Sequence, residues 1–265
     1  MKKQWTVLTI KAQKGQRKIA CITAYDFSSA RIADEAGIPL VLVGDSLGMT
    51  VLGYDTTLPV TMEEMLHHTR AVSRAVKQAM VVADMPFLSY QGSEDEALIN
   101  AGRFLKEAGA DAVKVEGGAV RVELVQRMVA NGIPVQAHLG LTPQSVNVFG
   151  GFRVQAKTEQ DAEQLKQDAK DLAEAGAFSL VLECIPQKLA AEITASINIP
   201  TIGIGAGPGC DGQVLVWHDL LGLYHGNQPR FVKRYAELGT EITRALTSYK
   251  DEVEQGRFPT ESHGY

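Results

Sequence analysis

Residues 111–117 read DAVKVEG, and this short stretch raises the question of how the whole chain folds. On an extended strand Val113 and Val115 point to one side, while Lys114 and Glu116 point to the other. The glycines on either side mark a short strand that is entered and left by tight turns. Its charged face either meets solvent at the edge of a sheet or lines a functional site. The rest of the chain distinguishes between these two interpretations.

Short apolar runs rich in β-branched residues recur along the chain, separated by stretches with helical periodicity. The eight runs are IACITAY (19–25), PLVLVGD (39–45), AMVVADM (79–85), DAVKVEG (111–117), IPVQAHL (133–139), FSLVLEC (178–184), IPTIGIG (199–205) and VLVWHDL (214–220). Alternating strands and helices imply right-handed βαβ units and a parallel sheet. A doubly wound open sheet is the alternative, but the glycine-rich loop that usually follows its first strand is missing here. We therefore predict an α/β fold, a (β/α)8 TIM barrel, as a single domain over residues 1–265.

Composition narrows the classes of function. The chain has 265 residues, and 45% of them are hydrophobic. It has 26 basic and 31 acidic residues, and the basic residues form no cluster. This distribution of charge argues against nucleic-acid binding. No apolar stretch is long enough for a signal peptide or a membrane span, so we expect a cytoplasmic protein without a membrane partner. The three cysteines are widely separated and contain no CxxC pair, which predicts neither disulfides nor a zinc site.

Polar residues gather at the C-terminal ends of the predicted strands. They are Asp45, Asp84, Lys114 with Glu116, His138 and Glu183, on five consecutive strands. A single acid in such a position is often only the N-cap of the next helix. In a barrel, however, all of these ends meet at one mouth, which is where active sites of this fold are built. The pattern therefore favours a site over a solvent-facing edge strand for Lys114 and Glu116.

The types of residue limit the chemistry of this mouth. Asp45, Asp84 and Glu116, with Ser46 nearby, form an all-oxygen environment suited to Mg²⁺. A metal in an open site can bind a 2-oxo acid through its carboxylate and ketone oxygens and stabilise the enolate. Glu183, on an apolar strand, is a candidate base for a weak carbon acid. Lys114 would either neutralise the substrate's negative charge or act as a Schiff-base nucleophile.

Longer stretches of the chain resemble the ketopantoate hydroxymethyltransferase family. They are TAYDFSSARIADEAGI, LVGDSLGMTVLGYDTTLPVTMEEMLHHTRAV, ADMPFLSY, EAGADAVKVEGG, GIPVQAHLGLTPQSV, AGAFSLVLECIP and IPTIGIGAGPGCDGQVLVWHDLLGL, and the likeness runs from about Thr23 to Pro259. The resemblance implies a (β/α)8 barrel that uses Mg²⁺ and 5,10-methylenetetrahydrofolate. It implies transfer of a hydroxymethyl group to 3-methyl-2-oxobutanoate, which gives 2-dehydropantoate (ketopantoate) for pantothenate and coenzyme A biosynthesis. It also implies a homo-oligomer, a decamer.

The resemblance assigns roles to residues of this chain. Asp45 and Asp84 would be magnesium ligands, with Glu116 joining them directly or through water. The keto acid would be held at Asp45, Ser46, Asp84, Lys114 and His138, and Glu183 would be the proton acceptor. The chain departs from the family pattern at two places. Gln136-Ala137 stands where the family usually has a Met-Gly type pair, and Ala156 replaces a common glycine.

Two other functions are compatible with the same pattern. One is that of a related metal-dependent 2-oxo acid lyase or aldolase on the same barrel, because the enolate chemistry is shared. The other is that of a catalytically silent barrel that serves as an assembly subunit, which the retention of every proposed chemical group disfavours. An assay with and without methylenetetrahydrofolate separates the first of these from hydroxymethyl transfer.

Overall fold

The computed structural model describes residues 3–223 and 229–265 and contains a closed parallel barrel with strand order β1-β2-β3-β4-β5-β6-β7-β8. The strands are β1 Ile19–Thr23, β2 Leu40–Val43, β3 Met80–Asp84, β4 Ala112–Glu116, β5 Val135–Gly140, β6 Ser179–Glu183, β7 Thr201–Ile204 and β8 Gly212–Leu215. The predicted (β/α)8 barrel is confirmed. Residues 1–2 and 224–228 of the predicted single domain lie outside the described residues.

Helices follow most of the strands, as the periodicity predicts. They are α1 Val7–Lys11, α2 Phe27–Glu35, α3 Leu47–Thr50, α4 Met62–Ala75, α5 Glu94–Lys106, α6 Val122–Ala130, α7 Val146–Phe149, α8 Glu159–Glu174, α9 Gln187–Ser196, α10 Trp217–Leu220 and α11 Leu238–Glu254. Short 3-10 helices lie at Ala119–Arg121, Pro143–Ser145 and Glu261–His263. Side-chain caps begin several of the α-helices: Asp26, Thr61, Ser93 and Thr158 each accept a hydrogen bond from the backbone N–H three residues later.

The interior of the barrel is apolar over its N-terminal part. Buried residues near the starts of the strands, among them Ile19, Leu40, Met80 and Ala112, form one cluster. Ile10 of α1 is fully buried in the same cluster, so α1 closes this end of the barrel. The polar residues farther along the strands therefore lie toward the opposite, C-terminal end, where the mouth is expected.

The eighth strand differs from its prediction. The apolar run predicts it at 214–220, but β8 begins at Gly212, ends at Leu215, and is followed by the helical turn α10. Gly212 pairs with both Ile19 and Ile202, and a Cβ at this position would collide with the carbonyl oxygen of Ile19. Strands are predicted here from runs of apolar side chains, and glycine has no side chain to contribute to such a run. At Gly212 the close approach of another backbone requires glycine, so this prediction misses the residue.

The chain divides into two compact units, Met1–Val216 and Trp217–Tyr265. All eight strands belong to the first unit. The second contains α10, α11 and the last 3-10 helix, and within it the rings of Tyr249 and Phe258 pack edge to face with centroids 5.6 Å apart. None of the described helices is long and apolar enough to cross a membrane. That residues 1–265 form one domain stays a prediction.

Candidate active site

Strand register brings the predicted site residues into contact. Asp84 on β3 is the ladder partner of Lys114 on β4, and Glu116 is the partner of His138 on β5. Ala112, two residues before Lys114, belongs to the interior cluster, so the alternating face that carries Lys114 and Glu116 points into the barrel. Their exposed fractions are only 5% and 6%. The charged face of residues 111–117 therefore lines the interior and does not meet solvent.

Three carboxylates, those of Asp45, Asp84 and Glu116, lie at this end of the barrel and are all buried. The backbone N–H of Asp45 donates to Asp84 Oδ2 at 3.0 Å. Burial, together with the charges of Asp84 and Glu116, raises the pKa of Asp45 well above its ordinary value. The carboxylates thus repel one another, and a cation among them would relieve that repulsion.

Lys114 supplies one positive charge to the cluster. Its Nζ lies 3.3 Å from Asp84 Oδ1 and 3.9 Å from Glu116 Oε1. Burial alone would lower the pKa of the Lys114 ammonium, but the charges of Asp84, Glu116 and Asp45 outweigh burial and raise that pKa. The surrounding carboxylates thus favour the ammonium form of Lys114, which suits a charge and hydrogen-bonding role better than a nucleophilic one.

His138 connects Lys114 to Glu183. Its Nδ1 lies 3.1 Å from Lys114 Nζ and its Nε2 lies 3.2 Å from Glu183 Oε2. An ammonium can only donate, so we assign the tautomer in which Nδ1 accepts from Lys114 and Nε2 carries the hydrogen. Nε2 lies within ion-pair distance of Glu183 but without the geometry of a hydrogen bond. Burial and the Lys114 charge lower the pKa of His138, but Glu116 and Glu183 outweigh them and raise it. Glu116 Oε1 also lies near Nδ1, at 3.4 Å.

Glu183 ends β6, on the opposite side of the closed strand order from β2 and Asp45. Its side chain is 16% exposed, against 4% for that of Glu116, so it lies nearer to the opening of the mouth. The structure thus holds Glu183 next to the Lys114–His138 pair but apart from the carboxylate cluster. This separation leaves Glu183 free to exchange a proton with a bound molecule.

Ser46 lies directly after Asp45, at the start of α3. Its Oγ is 2.9 Å from the hydroxyl of Tyr25, two residues after the end of β1. A Cβ at Gly44 would lie 2.7 Å from Ser46 Oγ and 3.6 Å from Asp84 Oδ2, so glycine keeps the space between these groups open. All seven residues predicted from the sequence thus lie at the C-terminal end of the barrel.

Three residues at the site, Gln144, Tyr90 and Tyr25, were not among the sequence predictions. Gln144 donates a hydrogen bond from its backbone N–H to Glu116 Oε2 (3.1 Å) and from its side-chain Nε2 to Asp45 Oδ2 (2.9 Å). The hydroxyl of Tyr90 donates to Gln144 Oε1 at 2.7 Å. The only signal for them in the sequence is their location within stretches that resemble the family, TAYDF, ADMPFLSY and HLGLTPQ.

The donor set suits a hard divalent cation. Asp84 Oδ1 and Glu116 Oε1 are buried and have no hydrogen-bond partner of good geometry, so both have lone pairs to offer. Over the described residues, no group of three or more His, Cys, Asp or Glu side chains is arranged to hold a metal ion by itself. Mg²⁺ does not require such a cage, because it retains several waters and usually takes one or two protein carboxylates. The residues present therefore fit Mg²⁺ with an incomplete protein shell.

Comparison with known proteins identifies the family. Residues 4–261 match the family described as ketopantoate hydroxymethyltransferase. The chain belongs to this family. The 3-methyl-2-oxobutanoate hydroxymethyltransferase of Carboxydothermus hydrogenoformans is 60% identical over 98% of this chain and 95% of its own length. The enzyme of the same name from Thermotoga neapolitana is 60% identical over 96% of this chain and 94% of its own length. The resemblance inferred from the sequence is confirmed, as is the prediction of an enzyme of this transferase class.

Solved structures of other enzymes share the fold. A 2,3-dimethylmalate lyase of the PEP mutase/isocitrate lyase superfamily superposes with a TM-score of 0.61 over 100% of this chain and 92% of its own, at 16% identity. A phosphoenolpyruvate phosphomutase from Streptomyces platensis subsp. rosaceus gives a TM-score of 0.62 over 95% of this chain and 88% of its own, at 14% identity. At such identities the likeness supports the barrel fold alone.

Proposed function

We propose that this member of the ketopantoate hydroxymethyltransferase family transfers a hydroxymethyl group from 5,10-methylenetetrahydrofolate to 3-methyl-2-oxobutanoate. The product is 2-dehydropantoate, for pantothenate biosynthesis. The names of relatives that are 56–60% identical to this chain support this proposal. The observation that carries it is the continuous line of contacts from Asp84 through Lys114 and His138 to Glu183.

The reaction requires a proton to leave C3 of the keto acid, next to the ketone. The electron pair left on C3 then forms a bond to the one-carbon unit of the folate, and water supplies the hydroxyl group. Both carbon–nitrogen bonds of that unit break, and tetrahydrofolate leaves with two protons on its nitrogens, equivalent to one from C3 and one from water. Water alone removes such a proton slowly, so a positioned base and stabilisation of the ketone oxygen must act together.

Mg²⁺ is the cofactor that we propose for this site. Asp45 and Asp84 would hold it, and Glu116 would join them directly or through water. When bound, it would supply Lewis-acid stabilisation of negative charge on the ketone oxygen. Asp84 Oδ1 supports this assignment, because it is buried and makes no hydrogen bond of good geometry although the Lys114 ammonium lies 3.3 Å away.

The chain's own residues bind the keto acid and move its proton. The Lys114 ammonium and the Ser46 hydroxyl would donate hydrogen bonds to the carboxylate and ketone oxygens of the substrate. Glu183 would accept the C3 proton on the carboxylate oxygen that does not face His138. His138 Nε2, 3.2 Å from Glu183 Oε2, would keep the carboxylate near the substrate through electrostatic attraction.

The proposal is tested by incubating the protein with 3-methyl-2-oxobutanoate and Mg²⁺, with and without methylenetetrahydrofolate, and measuring the products by mass spectrometry. We expect 2-dehydropantoate only when the folate is present. Folate-independent cleavage of a 2-oxo or dicarboxylic acid would instead support the lyase alternative. A preparation treated with chelator serves as the control.

Location and assembly belong to the same proposal. We expect a cytoplasmic homodecamer, whose mass by light scattering would be ten times the 28.7 kDa of one chain. A monomer at micromolar concentration would contradict this expectation.

A further inference from the structure

Gln144 lies where two of the three carboxylates meet. It belongs to the 3-10 helix Pro143–Ser145 that follows β5, and it is 6% exposed. Gly140, which ends β5, has φ +94°, and a Cβ there would collide with the carbonyl oxygen of Glu183. This turn, which glycine allows, directs the following segment across the mouth. The backbone N–H of Gln144 thereby donates to Glu116 and its side-chain amide to Asp45.

The amide of Gln144 has every hydrogen-bonding position filled. Its Oε1 accepts from the Tyr90 hydroxyl at 2.7 Å and from Gln91 Nε2 at 2.8 Å. Its Nε2 donates to Asp45 Oδ2 at 2.9 Å and to the Met85 carbonyl oxygen at 2.8 Å. Two acceptor and two donor positions are all that a glutamine amide offers, so its orientation is fixed by the network.

Tyr90 fixes the direction of this network. Its hydroxyl accepts from the backbone N–H of Glu116 at 3.0 Å, and its single proton is donated to Gln144. Tyr90 is 3% exposed, so solvent does not compete for either bond. Because each group has one role, the Nε2 of Gln144 must present hydrogens to Asp45, and Asp45 Oδ2 must accept.

The three carboxylates share one pattern: one oxygen of each accepts a hydrogen bond from an N–H group of the protein. Asp45 N–H holds Asp84 Oδ2, while Gln144 holds Asp45 Oδ2 and Glu116 Oε2. In Asp84 and Glu116, the second oxygen is buried and makes no hydrogen bond of good geometry. Two of the three orientations thus depend on one glutamine.

The geometry points to Gln144 as the residue that positions the Asp45 and Glu116 carboxylates toward a divalent cation. It is a positioning residue and not a ligand, because its amide oxygen is committed to Tyr90 and Gln91. This inference rests on the proposed magnesium-dependent function. Groups that orient metal ligands typically change metal affinity by about 10- to 100-fold when removed.

The chain offers a matched pair of variants. Gln144→Met keeps the side-chain volume and the backbone N–H to Glu116 but removes the bond to Asp45. Gln136→Met makes the same change at another buried glutamine of the barrel, 1% exposed, whose Nε2 bonds Ser179 and none of the carboxylates. Mn²⁺, which prefers similar oxygen ligands, serves as the probe, and free Mn²⁺ is counted by electron paramagnetic resonance without substrate.

We expect Gln144→Met to weaken Mn²⁺ binding by about 10- to 100-fold and Gln136→Met to change it less than about twofold. Saturating Mg²⁺ should restore most of the turnover of Gln144→Met, which general damage to the fold would not allow. Tyr90→Phe, which keeps the ring, should weaken binding by about 3- to 10-fold and provides the test if Gln144→Met does not fold.

Three results would overturn the inference. Mn²⁺ affinity within about twofold of wild type in folded Gln144→Met, or equal losses in both methionine variants, would remove Gln144 from this role and leave the proposed function standing. Failure of the wild-type protein to bind Mn²⁺ or Mg²⁺ would overturn both this inference and the proposed cofactor.

Discussion

Replacing Glu183 by glutamine tests the proposed chemistry most directly. Glutamine keeps the size of the side chain, and its amide would occupy the same place beside His138 Nε2, which lies 3.2 Å from Glu183 Oε2. The change therefore removes the proton acceptor and leaves its surroundings in place. Substrate affinity should stay within about threefold of wild type, since Lys114 and Ser46 are untouched.

The size of the effect follows from what replaces the carboxylate. Loss of a general base typically costs about 10²- to 10⁴-fold, or about 3 to 5 kcal/mol of activation free energy. The Glu183 side chain is 16% exposed, so in the Glu183→Gln variant a water molecule can reach this position. That water would accept the proton, but more slowly than the Glu183 carboxylate does. We therefore expect a loss near the middle of that range, about 10³-fold or ~4 kcal/mol.

The assay omits the folate and isolates proton removal. Protein, Mg²⁺ and 3-methyl-2-oxobutanoate are mixed in heavy water, and loss of the C3 proton signal is followed by NMR. Wild-type protein should exchange this proton, and Glu183→Gln should exchange it about 10³-fold more slowly. Glu174→Gln, an exposed glutamate at the end of α8, is the control and should behave as wild type. Exchange in Glu183→Gln within about threefold of wild type would refute the assignment and make His138 the leading candidate for the base.

Three further predictions concern the cation, the lysine and the backbone. Chelation should abolish activity, and added Mg²⁺ should restore it. Asp45→Ala or Asp84→Ala should raise the Mg²⁺ concentration needed for half-maximal turnover. Wild-type metal affinity in both variants would contradict the ligand assignment. Borohydride with the keto acid should leave the mass of the Lys114 peptide unchanged, because nearby carboxylates raise the pKa of this ammonium despite its burial, whereas a reduced adduct would favour the Schiff-base alternative. Ala156 has φ 52°, in the left-handed region that favours glycine, so Ala156→Gly should raise the free energy of unfolding in urea by about 0.5–1 kcal/mol. No gain in that measurement would mean that its backbone is not strained.

The sequence predicted those parts of the site that depend on a repeating pattern. Lys114 and Glu116 share a face because strand residues alternate, and Asp84 and His138 lie beside them because parallel strands end at one mouth. Their convergence follows from the alternation of strands and helices alone. Assigning them to particular ligands and steps required the family resemblance, and those roles stay predictions.

The sequence did not predict Gln144 or the start of β8, because both depend on the path that the backbone takes and not on a repeating pattern of side chains. Gln144 follows a turn at Gly140 and lies on a 3-10 helix, where no periodicity predicts which way a side chain points. Its partners, Tyr90 and Asp45, are 54 and 99 residues away in sequence. The start of β8 was missed for a related reason. Gly212 is required because the Ile19 backbone approaches it too closely for a side chain, and hydrophobicity gives no sign of that contact.

Two glutamates flank His138, and their surroundings explain why only one of them suits the role of base. Glu116 Oε2 accepts from Gln144 N–H, and its Oε1 lies within 3.9 Å of Lys114 and 3.4 Å of His138. Although burial raises the pKa of Glu116, these partners lower it below its ordinary value, so this carboxylate holds its negative charge and accepts a proton poorly. Glu183 has one close ion-pair partner, His138, among the described residues, and its side chain lies nearer to the opening. Glu116→Gln should therefore weaken Mn²⁺ binding, whereas Glu183→Gln should slow proton exchange with Mn²⁺ binding unchanged. If Glu183→Gln weakened Mn²⁺ binding and Glu116→Gln slowed proton exchange with Mn²⁺ binding unchanged, the two assignments would be exchanged.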